Sequence, residues 1–427
     1  MGKAEPEFEF TEAYSLVQDR IAVSQNPSAS SAIISRLSTD AEHQVRENIA
    51  SHASTSPEIL RKLAQDKEGG VRRRVASNRQ TPSTILEAML KDEDDWVRDN
   101  ASRNPNMPEG ALRKLAQHTD WTLRQNSAQN PKMPSDKLLA LSKDREPGEP
   151  GVSIRHAVAM HPGTPEIALI ELAADADGYV RRGVAENPNT PHEVLDALAE
   201  DPDSDIRRSV ASNTSTSLQT LEKLVSDEEE SVLIEIANNN AAGDEILRLL
   251  YNRLINNDNL SYVIYMLAQN PSVSFSLLEA LATSTDQSFR SGAAKNPSAS
   301  DSLLRSLADD PDFCVRSSVA ENPSASGRVL RKLAHDIDAR KRVSVNPSTP
   351  AEVLTILATC DDWGIHCHVA SHPSTPTDTL WNLYRNDHRN IKWSLGVNPS
   401  APIEMLEQLS GMRPSSTGSF FSKLFGK

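Results

Sequence analysis

The most constraining feature of this sequence is a unit of about 26 residues that recurs along nearly the whole chain. Val180–Asn187 (VRRGVAEN) returns 26 residues later as Ile206–Asn213 (IRRSVASN). Each copy ends on an Asn or a His, here called the anchor, and most anchors are 26 residues apart, with two gaps of 31 and one of 24. A fixed period of this length predicts a solenoid, in which each repeat buries its apolar face only against its neighbours. The fifteen anchors are Asn26, His52, Asn78, Asn104, Asn130, His161, Asn187, Asn213, Asn239, Asn270, Asn296, Asn322, Asn346, His372 and Asn398.

Two leucine columns follow each anchor. The residue eight positions after it is Leu in fourteen repeats and Ile34 in the other, and the residue eleven positions after it is Leu everywhere except at Met89. Apolar residues three or four positions apart form one face of an α-helix. The stretch that leads into the anchor, such as Val180–Ala185, predicts a second and shorter helix of about two turns. The chain is therefore predicted to be all-α, with two helices in each repeat.

Threonine and proline recur at the boundaries between the two helices of a repeat. In Thr190-Pro191-His192-Glu193, the threonine is predicted to cap the leucine helix, with proline at the first helical position and Glu193 reaching back to the cap. Thr349-Pro350-Ala351-Glu352 repeats this pattern. A proline directly after the anchor, as at Pro188, ends the preceding helix because proline has no backbone N–H to continue it.

An electrostatic column recurs with the same period. Asp201 lies six residues before Arg207, and the same spacing separates Asp40/Arg46, Asp66/Arg72, Asp92/Arg98, Asp175/Arg181 and Asp310/Arg316. Such a pair could bond within one repeat or across to the next. We predict a ladder that joins neighbouring repeats, with Asp201 as the local partner of Arg207, because half-buried charges need partners. A row of arginines that binds phosphates is the alternative.

These columns together resemble a known family. The pattern V-R-x-x-V-A-x-N-P-x-T-P-x-x-x-L-x-x-L-A-x-D is similar to the leucine-rich repeat variant, which is related to HEAT-like repeats, and Asp94–Arg98 (DDWVR) and Asp120-Trp121 resemble its inter-helix turn. The resemblance covers about residues 21–410. It implies a right-handed solenoid of alternating longer α-helices and shorter α or 3₁₀ helices. It implies no catalytic activity, and no cofactor either: some relatives carry an N-terminal cysteine cluster for an iron–sulfur centre, but the first Cys here is Cys314.

The repeat defines three regions. Residues 1–20 are predicted to be an N-terminal extension or cap, residues 21–410 the solenoid, and residues 411–427 a Ser-rich linker with an amphipathic tail. Within the solenoid, Arg145–Gly151 is predicted to be a surface loop. Asn238–Ser261 is predicted to hold a longer helix that bends the solenoid, with a ligand-contacting loop as the alternative.

Composition narrows the classes of function. The formal net charge of −14 at pH 7 argues against a general nucleic-acid binder. The three cysteines form no disulfide framework, which favours a reducing compartment. No stretch approaches the roughly 18 apolar residues of a membrane span, and no signal peptide is recognisable. We therefore expect a cytoplasmic protein.

Positions in the second helix are counted from its first apolar residue, such as Val71, so that Arg73 is third. The third, fourth and seventh positions do not follow the structural consensus. In related solenoids this helix lines the concave surface, so these positions are predicted to contact a protein partner. Their charge is mixed, with eight Lys or Arg and five Glu or Asp in the second to fifteenth repeats. A merely solvated face is one alternative, and a nucleic-acid site at Arg72–Arg74, Arg181/Arg182 and Arg207/Arg208 is the other. The predicted contact residues are Arg73, Arg74, Asp99, Arg103, Arg182, Arg208, Tyr265, Lys341 and Arg342.

One group of residues has ligand chemistry. It comprises Cys360, His366, Cys367, His368 and His372, of which His368 and His372 have the i, i+4 spacing of metal ligands. However, His372 stands in the anchor column, as do His52 and His161. Drift within the repeat explains the group better than a metal site, so no metal is predicted. Because the sequence also has no recognisable catalytic grouping, we expect a non-enzymatic interaction scaffold.

The C-terminal tail does not follow the repeat. Phe420, Phe421, Leu424 and Phe425 could share one side of a short helix, with Lys423 and Lys427 beside it. The segment resembles short amphipathic tails that bring some bacterial cytosolic proteins to the membrane surface. Weak, reversible membrane contact is therefore predicted. A tail that folds back on the last repeat, or that stays disordered, is the alternative.

Overall fold

The structure, a computed structural model, describes residues 17–257, 260–385 and 388–409. In these residues each repeat consists of one helix that leads into the anchor, called the anchor helix, and one that carries the leucine columns, called the leucine helix. The anchor helices are α1 (residues 17–25), α3 (His43–Ser51), α5 (Gly69–Ser77), α7 (Asp95–Arg103), α9 (Trp121–Ala128), α11 (Glu149–Met160), α13 (Gly178–Glu186), α15 (Ser204–Ser212), α17 (Glu230–Asn238), α19 (Ser261–Gln269), α21 (Gln287–Lys295), α23 (Phe313–Glu321), α25 (Arg340–Val343), α27 (Trp363–Ser371) and α29 (Arg389–Val397).

The leucine helices alternate with them along the chain. They are α2 (Ser31–Leu37), α4 (Pro57–Leu63), α6 (Ser83–Met89), α8 (Glu109–Leu115), α10 (Ser135–Leu141), α12 (Glu166–Leu172), α14 (His192–Leu198), α16 (Leu218–Leu224), α18 (Gly243–Leu254), α20 (Phe275–Ala282), α22 (Asp301–Leu307), α24 (Gly327–Leu333), α26 (Ala351–Leu357), α28 (Thr377–Tyr384) and α30 (Ile403–Leu409). The prediction of an all-α repeat fold with two helices per repeat is confirmed. The handedness of the stack stays a prediction.

The relative lengths of the two helices differ from the sequence prediction. Most anchor helices have nine residues and most leucine helices seven, and both kinds are α-helical. The assignment of the anchor helix as the shorter, α or 3₁₀, element is therefore wrong. The carboxylate of Asp203 accepts a hydrogen bond from the backbone N–H of Asp205. This N-cap lets α15 begin at Ser204, two residues before the apolar residue that marked its start in the sequence.

The predicted role of the threonines is also wrong. The Thr190 hydroxyl donates to the carbonyl oxygen of Val184 at 2.6 Å, and Thr349 does the same to Val343 at 2.6 Å. The N-cap of α14 is Pro191, with no side-chain hydrogen bond to the helix. Thr190 is buried against the C-terminal end of α13, where the Val184 carbonyl also accepts from the backbone N–H of Asn187 at 3.1 Å. The threonine therefore ties the two helices of one repeat together.

The two irregular regions are helical. Gly148, in the left-handed region with φ 73°, precedes α11, which has 12 residues and begins at Glu149. The predicted loop Arg145–Gly151 is therefore wrong in its last three residues. The second region contains α18, also of 12 residues and also opened by a glycine with positive φ, Gly243. The longer helix predicted within Asn238–Ser261 is confirmed.

The helices form two compact units. One contains the described residues up to Asn106 and from Arg340 onwards, and the other contains Met107–Ala339. In each unit the leucine columns and the apolar positions of the anchor helices are buried, as Leu195, Leu198, Val180 and Val184 are in the second unit. Burial of such side chains contributes about 1.5–3 kcal/mol each relative to exposure, so the repeated apolar columns drive the stacking.

The anchors join consecutive repeats through buried hydrogen bonds. The Asn213 amide donates to the carbonyl oxygens of Ala185 at 2.7 Å and Asn187 at 2.9 Å, and its own oxygen accepts from the backbone N–H of Ser215 at 2.9 Å. A histidine anchor makes similar bonds. The Nε2 atom of His52 lies 2.9 Å from the Asn26 carbonyl oxygen, and Nδ1 accepts from the backbone N–H of the residue two positions on. His therefore replaces Asn without loss of the link.

In the first unit, the same bonds connect the first repeat to the last. The Asn26 amide donates to the carbonyl oxygens of Gly396 at 2.7 Å and Asn398 at 3.0 Å, and the Ser28 hydroxyl donates to that of Pro399 at 2.8 Å. Ala22 packs against Gly396, where an added Cβ would lie 2.9 Å from the Ala22 Cβ. Within this unit the first repeat therefore stacks on the last through the same bonds that join Asn78 to the repeat before it.

We expect Asn26→Ala to loosen this junction, because the Gly396 carbonyl loses the Asn26 donor and the Asn398 carbonyl keeps only the backbone N–H of Ala401. Backbone amides in residues 17–25 and 389–409 should exchange hydrogen about tenfold faster by mass spectrometry, since an unmade buried hydrogen bond costs about 1–3 kcal/mol. Asn26→His should retain most of the protection because histidine serves as an anchor in three repeats. Equal exchange of residues 389–409 in Asn26→Ala and wild type would show that the terminal repeats are not joined in solution.

Candidate interaction surface

The arginine column forms a ladder between repeats, as predicted, but with a different pairing. Arg207 donates through Nε to the Asp227 carboxylate at 2.7 Å, 20 residues ahead, and through Nη1 to the backbone carbonyl oxygen of Asp201 at 2.9 Å. The Asp201 carboxylate instead accepts from Arg181 at 2.8 Å. The prediction that Asp201 is the side-chain partner of Arg207 is therefore wrong. Pairs of this kind in the described part of the chain include Arg20–Asp40, Arg46–Asp66, Arg72–Asp92, Arg124–Asp144, Arg155–Asp175, Arg181–Asp201, Arg207–Asp227, Arg290–Asp310 and Arg316–Asp336.

The charged side chains of these pairs are largely shielded from solvent, and their hydrogen-bonding groups are occupied. The side chains of Arg72 and Asp92 are each 11% exposed, and those of Arg181 and Asp201 are 18% and 7% exposed. Burial raises the pKa of Asp201, but the Arg181 guanidinium and the backbone N–H of Asp203 outweigh it and hold that pKa below its ordinary value. Because every ladder arginine from Arg46 to Arg316 already binds a carboxylate and a backbone carbonyl, these guanidinium groups are poorly available to phosphates.

The pairing predicts a specific pattern of energetic coupling. Asp201→Ala should lower the free energy of unfolding by about 1–3 kcal/mol, because it strands the sheltered Arg181 guanidinium. In double-mutant cycles followed by urea denaturation, Asp201→Ala should couple strongly to Arg181→Ala and much less to Arg207→Ala, which uses only the Asp201 carbonyl. Stronger coupling to Arg207 would contradict the ladder geometry.

The third position of the anchor helices, counted from the apolar residue as above (Arg73 in α5), faces outwards. Arg73 and Lys341 are exposed, while Arg182, Arg208 and Tyr265 are half-buried. Arg73 pairs with Asp94 of the next repeat at 2.7 Å, and Arg182 and Arg208 pair with acids on their own helices, Glu186 at 3.4 Å and Asp205 at 3.3 Å. Of the other predicted contact residues, Arg74 and Arg342 are exposed, and Asp99 and Arg103 are half-buried. The prediction that these side chains bind a partner is still to be tested.

The fourth position is mostly a packing position. Arg74 and Arg342 are exposed there, but the same column is buried at Asn126, Gly183, Ser209, Gly292 and Ser318. A Cβ added to Gly292 would lie 2.7 Å from the Ala268 Cβ and 2.8 Å from the Tyr265 carbonyl oxygen. Small residues are needed here because adjacent anchor helices touch at this column. In these repeats the fourth position is therefore not a contact site for a partner.

The structure reveals exposed aromatic residues that the sequence analysis did not select. They stand at the first or second residue of an anchor helix, and four of them follow within two residues of an N-capping aspartate. The sequence signal was present in DDWVR, which was interpreted only as a mark of the turn. These residues are Trp96 (61% exposed), Tyr179 (44%), Tyr262 (53%), Phe313 (56%) and Trp363 (58%).

Two of these aromatics have informative surroundings in the second unit. Tyr179 stacks on His156 with ring centroids 3.6 Å apart, and the Arg182 guanidinium carbon lies 4.9 Å from the centroid of the Tyr179 ring. Tyr262 stacks on Tyr265 at 5.9 Å. A groove of about 330 Å³ opens beside this pair, across the anchor helices of three consecutive repeats. Its lining residues are Ser261, Tyr262, Tyr265, Gln287, Ser288, Ser291 and Cys314.

His368 and His372, the pair with metal-ligand spacing, have structural roles. The Nε2 atom of His372 lies 3.0 Å from the Asn346 carbonyl oxygen, as expected of an anchor, and the Nδ1 atom of His368 lies 2.9 Å from the Ser344 hydroxyl. Among the described residues, no group of three or more His, Cys, Asp or Glu side chains is placed to hold a metal ion. The i, i+4 histidines are thus each engaged with a different residue of the preceding repeat.

Two further predictions concern membranes. No helix in the described part of the chain is long and apolar enough to cross a bilayer. The tail residues Phe420, Phe421, Leu424 and Phe425 lie outside the described residues, so their contact with a membrane surface stays a prediction.

Buried histidines make this fold sensitive to acid. Burial lowers the pKa of His161, partly offset by its bond to the Asn130 carbonyl, and burial and the nearby Arg182 lower the pKa of His156 to about 4. In the unfolded chain these groups titrate near 6.5. Between the two values the unfolded chain binds more protons than the folded one, so the free energy of unfolding decreases as pH falls.

We expect His161→Asn to reduce this acid sensitivity, because it installs the non-titrating anchor found in most repeats. Urea denaturation between pH 7 and pH 5 should show a steep loss of stability for the wild type, up to about 1.4 kcal/mol per pH unit for each such histidine. The slope should be smaller for His161→Asn, with similar stability at pH 7. An identical slope would show that His161 takes up its proton without breaking the anchor bonds.

Comparison with known proteins agrees with the repeat unit. Residues 180–203 match the family model "Leucine rich repeat variant". A solved leucine-rich repeat variant described as having a novel repetitive structural motif is 26% identical, with coverage of 48% of this chain and 80% of that chain and a TM-score of 0.32. No curated protein matches this chain. The predicted resemblance to the leucine-rich repeat variant is confirmed.

Larger helical-repeat proteins are also similar to this chain. Kap121p is 11% identical, with coverage of 95% of this chain and 51% of that chain and a TM-score of 0.29. Kap95p, solved with RanGDP, is 11% identical, with coverage of 99% of this chain and 74% of that chain and a TM-score of 0.30. The chain thus spans about half the length of Kap121p.

Proposed function

We propose that this stack of leucine-rich-repeat-variant units is a non-enzymatic scaffold that binds a protein partner along the exposed side of its anchor helices. The observation that carries the proposal is the presentation of exposed charged and aromatic side chains on several anchor helices of each unit, at positions that the packing does not use. Arg73 and Lys341 are examples in the first unit, and Tyr262 and Phe313 are examples in the second. Charged and aromatic groups at fixed intervals suit a partner chain that contacts several repeats.

A nucleic-acid partner is less well supported. The ladder arginines are paired with carboxylates, as Arg72 is with Asp92, and the outward Arg73 is itself paired with Asp94. A phosphate backbone would have to compete with these acids as well as with the net charge of −14. Retention of the protein on polynucleotide resin at low salt, lost as salt rises, would favour this alternative.

Charge reversal on one helix tests the proposal. Lys341→Glu with Arg342→Glu changes two exposed residues of the anchor helix α25, and we expect at least a severalfold loss of captured partner in quantitative mass spectrometry. Arg331→Glu with Lys332→Glu makes the same charge change on two exposed residues of the leucine helix α24 and is the matched control. Thermal unfolding of both variants shows whether the fold is retained.

Comparison of the two variants shows whether the partner binds the anchor helices or the leucine helices. If the leucine-helix control loses the partner and the anchor-helix variant keeps it, the binding side is wrong. If both lose it equally, capture depends on general charge and the proposed scaffold surface is not supported.

A further inference from the structure

We infer that the N-terminal ends of the anchor helices in the second unit bind an extended, cationic segment of the partner protein. This inference rests on the proposed function and adds the position of the contact and the chemistry of the partner. The surface, here called the rim, is defined by Tyr179, Glu228, Glu229, Glu230, Tyr262 and Phe313. These residues lie at the starts of α13, α17, α19 and α23, which belong to one continuous series of stacked repeats.

The rim is acidic because aspartates cap several of its anchor helices and glutamates surround the start of another. Asp203, Asp286 and Asp312 accept from the backbone at the starts of α15, α21 and α23, whereas α17 and α19 have no side-chain N-cap bond. Glu228 and Glu229 directly precede α17, Glu230 is its first residue, and all three side chains are exposed. Equivalent ends of parallel helices lie on the same side of a stack, so these carboxylates form one row. A row of carboxylates attracts cations and repels phosphates.

Aromatic rings interrupt this acidic row. Tyr179, Tyr262 and Phe313 are between 44% and 56% exposed although the chain has few aromatic residues. An aromatic face beside carboxylates is the combination that favours a guanidinium or ammonium group, which gains a cation–π contact and an ion pair at once. The chain itself displays this mode, because Arg182 lies over the Tyr179 ring at 4.9 Å while it also pairs with Glu186 at 3.4 Å. At Tyr262 the position equivalent to Arg182 is Tyr265, whose ring stacks on Tyr262, so an arginine from a partner would contact the exposed part of this tyrosine pair.

The repeat spacing determines the form of the partner segment. Neighbouring packed helices lie about 8–10 Å apart, and an extended chain in the polyproline II conformation advances about 3.1 Å per residue with three residues per turn. Three residues of such a segment therefore span one repeat and return the side chain to the same face, so a cation at every third residue would meet each helix start in turn. A helical segment advances about 1.5 Å per residue and would offer one side chain per repeat only at about every seventh residue. An extended segment thus places more than twice as many cations for its length.

A defined peptide tests the inference with the full-length protein. The probe is a fluorescent 15-residue peptide with Arg at every third position, separated by Gly-Ser pairs, and binding is measured by fluorescence anisotropy at low salt. We expect Glu228→Gln, Glu229→Gln and Glu230→Gln together to weaken binding about fivefold or more, because three exposed charge contacts are lost. Glu222→Gln, Glu245→Gln and Glu279→Gln make the same change in net charge on exposed residues of the leucine helices α16, α18 and α20 and should have little effect.

The contribution of the aromatic rings to peptide binding is tested with one variant in the rim and one matched control outside it. Phe313 and Phe275 are each 56% exposed and each is the first residue of its helix, but Phe313 belongs to the rim and Phe275 to the leucine helix α20. Phe313→Ala should weaken peptide binding and Phe275→Ala should not. Wild-type binding should also fall as salt is raised, because exposed charges separated by more than about 8 Å are screened at physiological ionic strength.

Several results would overturn the inference. Equal weakening by the two glutamate triples would show attraction by overall charge, and equally tight binding of a peptide with its five arginines in one block would remove the argument from spacing. Absence of peptide binding to the wild type would exclude the cationic segment. In that case the proposed scaffold function would still stand if partner capture depended on Lys341 and Arg342, so the two ideas fail separately.

Discussion

The fold depends above all on the hydrogen bonds made by the anchor side chains. The end of an α-helix leaves backbone carbonyls without intrahelical donors, and these would be costly to bury. Asn213 donates to two such carbonyls of the preceding repeat, and its own oxygen accepts from the turn that starts the leucine helix. One side chain thus satisfies the end of one repeat and shapes the turn of the next. The junction at Asn26 uses the same bonds between residues some 370 positions apart.

The arginine ladder is a second, more dispensable link. The anchor is Asn or His in every repeat, whereas the ladder is interrupted. In the ninth and tenth repeats, Leu233 and Ile264 occupy the arginine position, and each is 1% exposed. A sheltered ion pair contributes little more than a well-packed apolar side chain of similar size, because desolvation offsets much of the Coulomb attraction. The stack therefore tolerates either solution at this column but needs a donor at the anchor.

The structural roles of the anchor-helix positions determine which positions could bind a partner. On an anchor helix the apolar positions face the core, the arginine binds neighbouring repeats, and the fourth position often touches the preceding anchor helix, as Gly292 touches Ala268. What remains for a partner is the third position and the start of the helix. An aspartate at the N-cap accepts from the backbone in several anchor helices, as Asp203 does at α15, whereas α17 and α19 begin without such a bond. The acidic edge is therefore in part a consequence of helix capping, and the exposed glutamates and aromatic residues beside it are additions that the fold does not require.

The sequence by itself determined the number of repeats, their two helices, the structural role of the histidine anchors and the existence of a charge ladder. It did so because spacings of three, four and 26 residues constrain which side chains share a face or a column. It could not decide which Asp each Arg would meet, since an aspartate six residues back and one 20 residues ahead recur with the same period. Only the stacking showed that Arg207 binds the carboxylate of Asp227 and the carbonyl of Asp201. The burial of Gly183 and the contact between Asn26 and Gly396 were likewise decided by the tertiary structure, because a periodic pattern does not specify how closely its copies approach or which copies become neighbours.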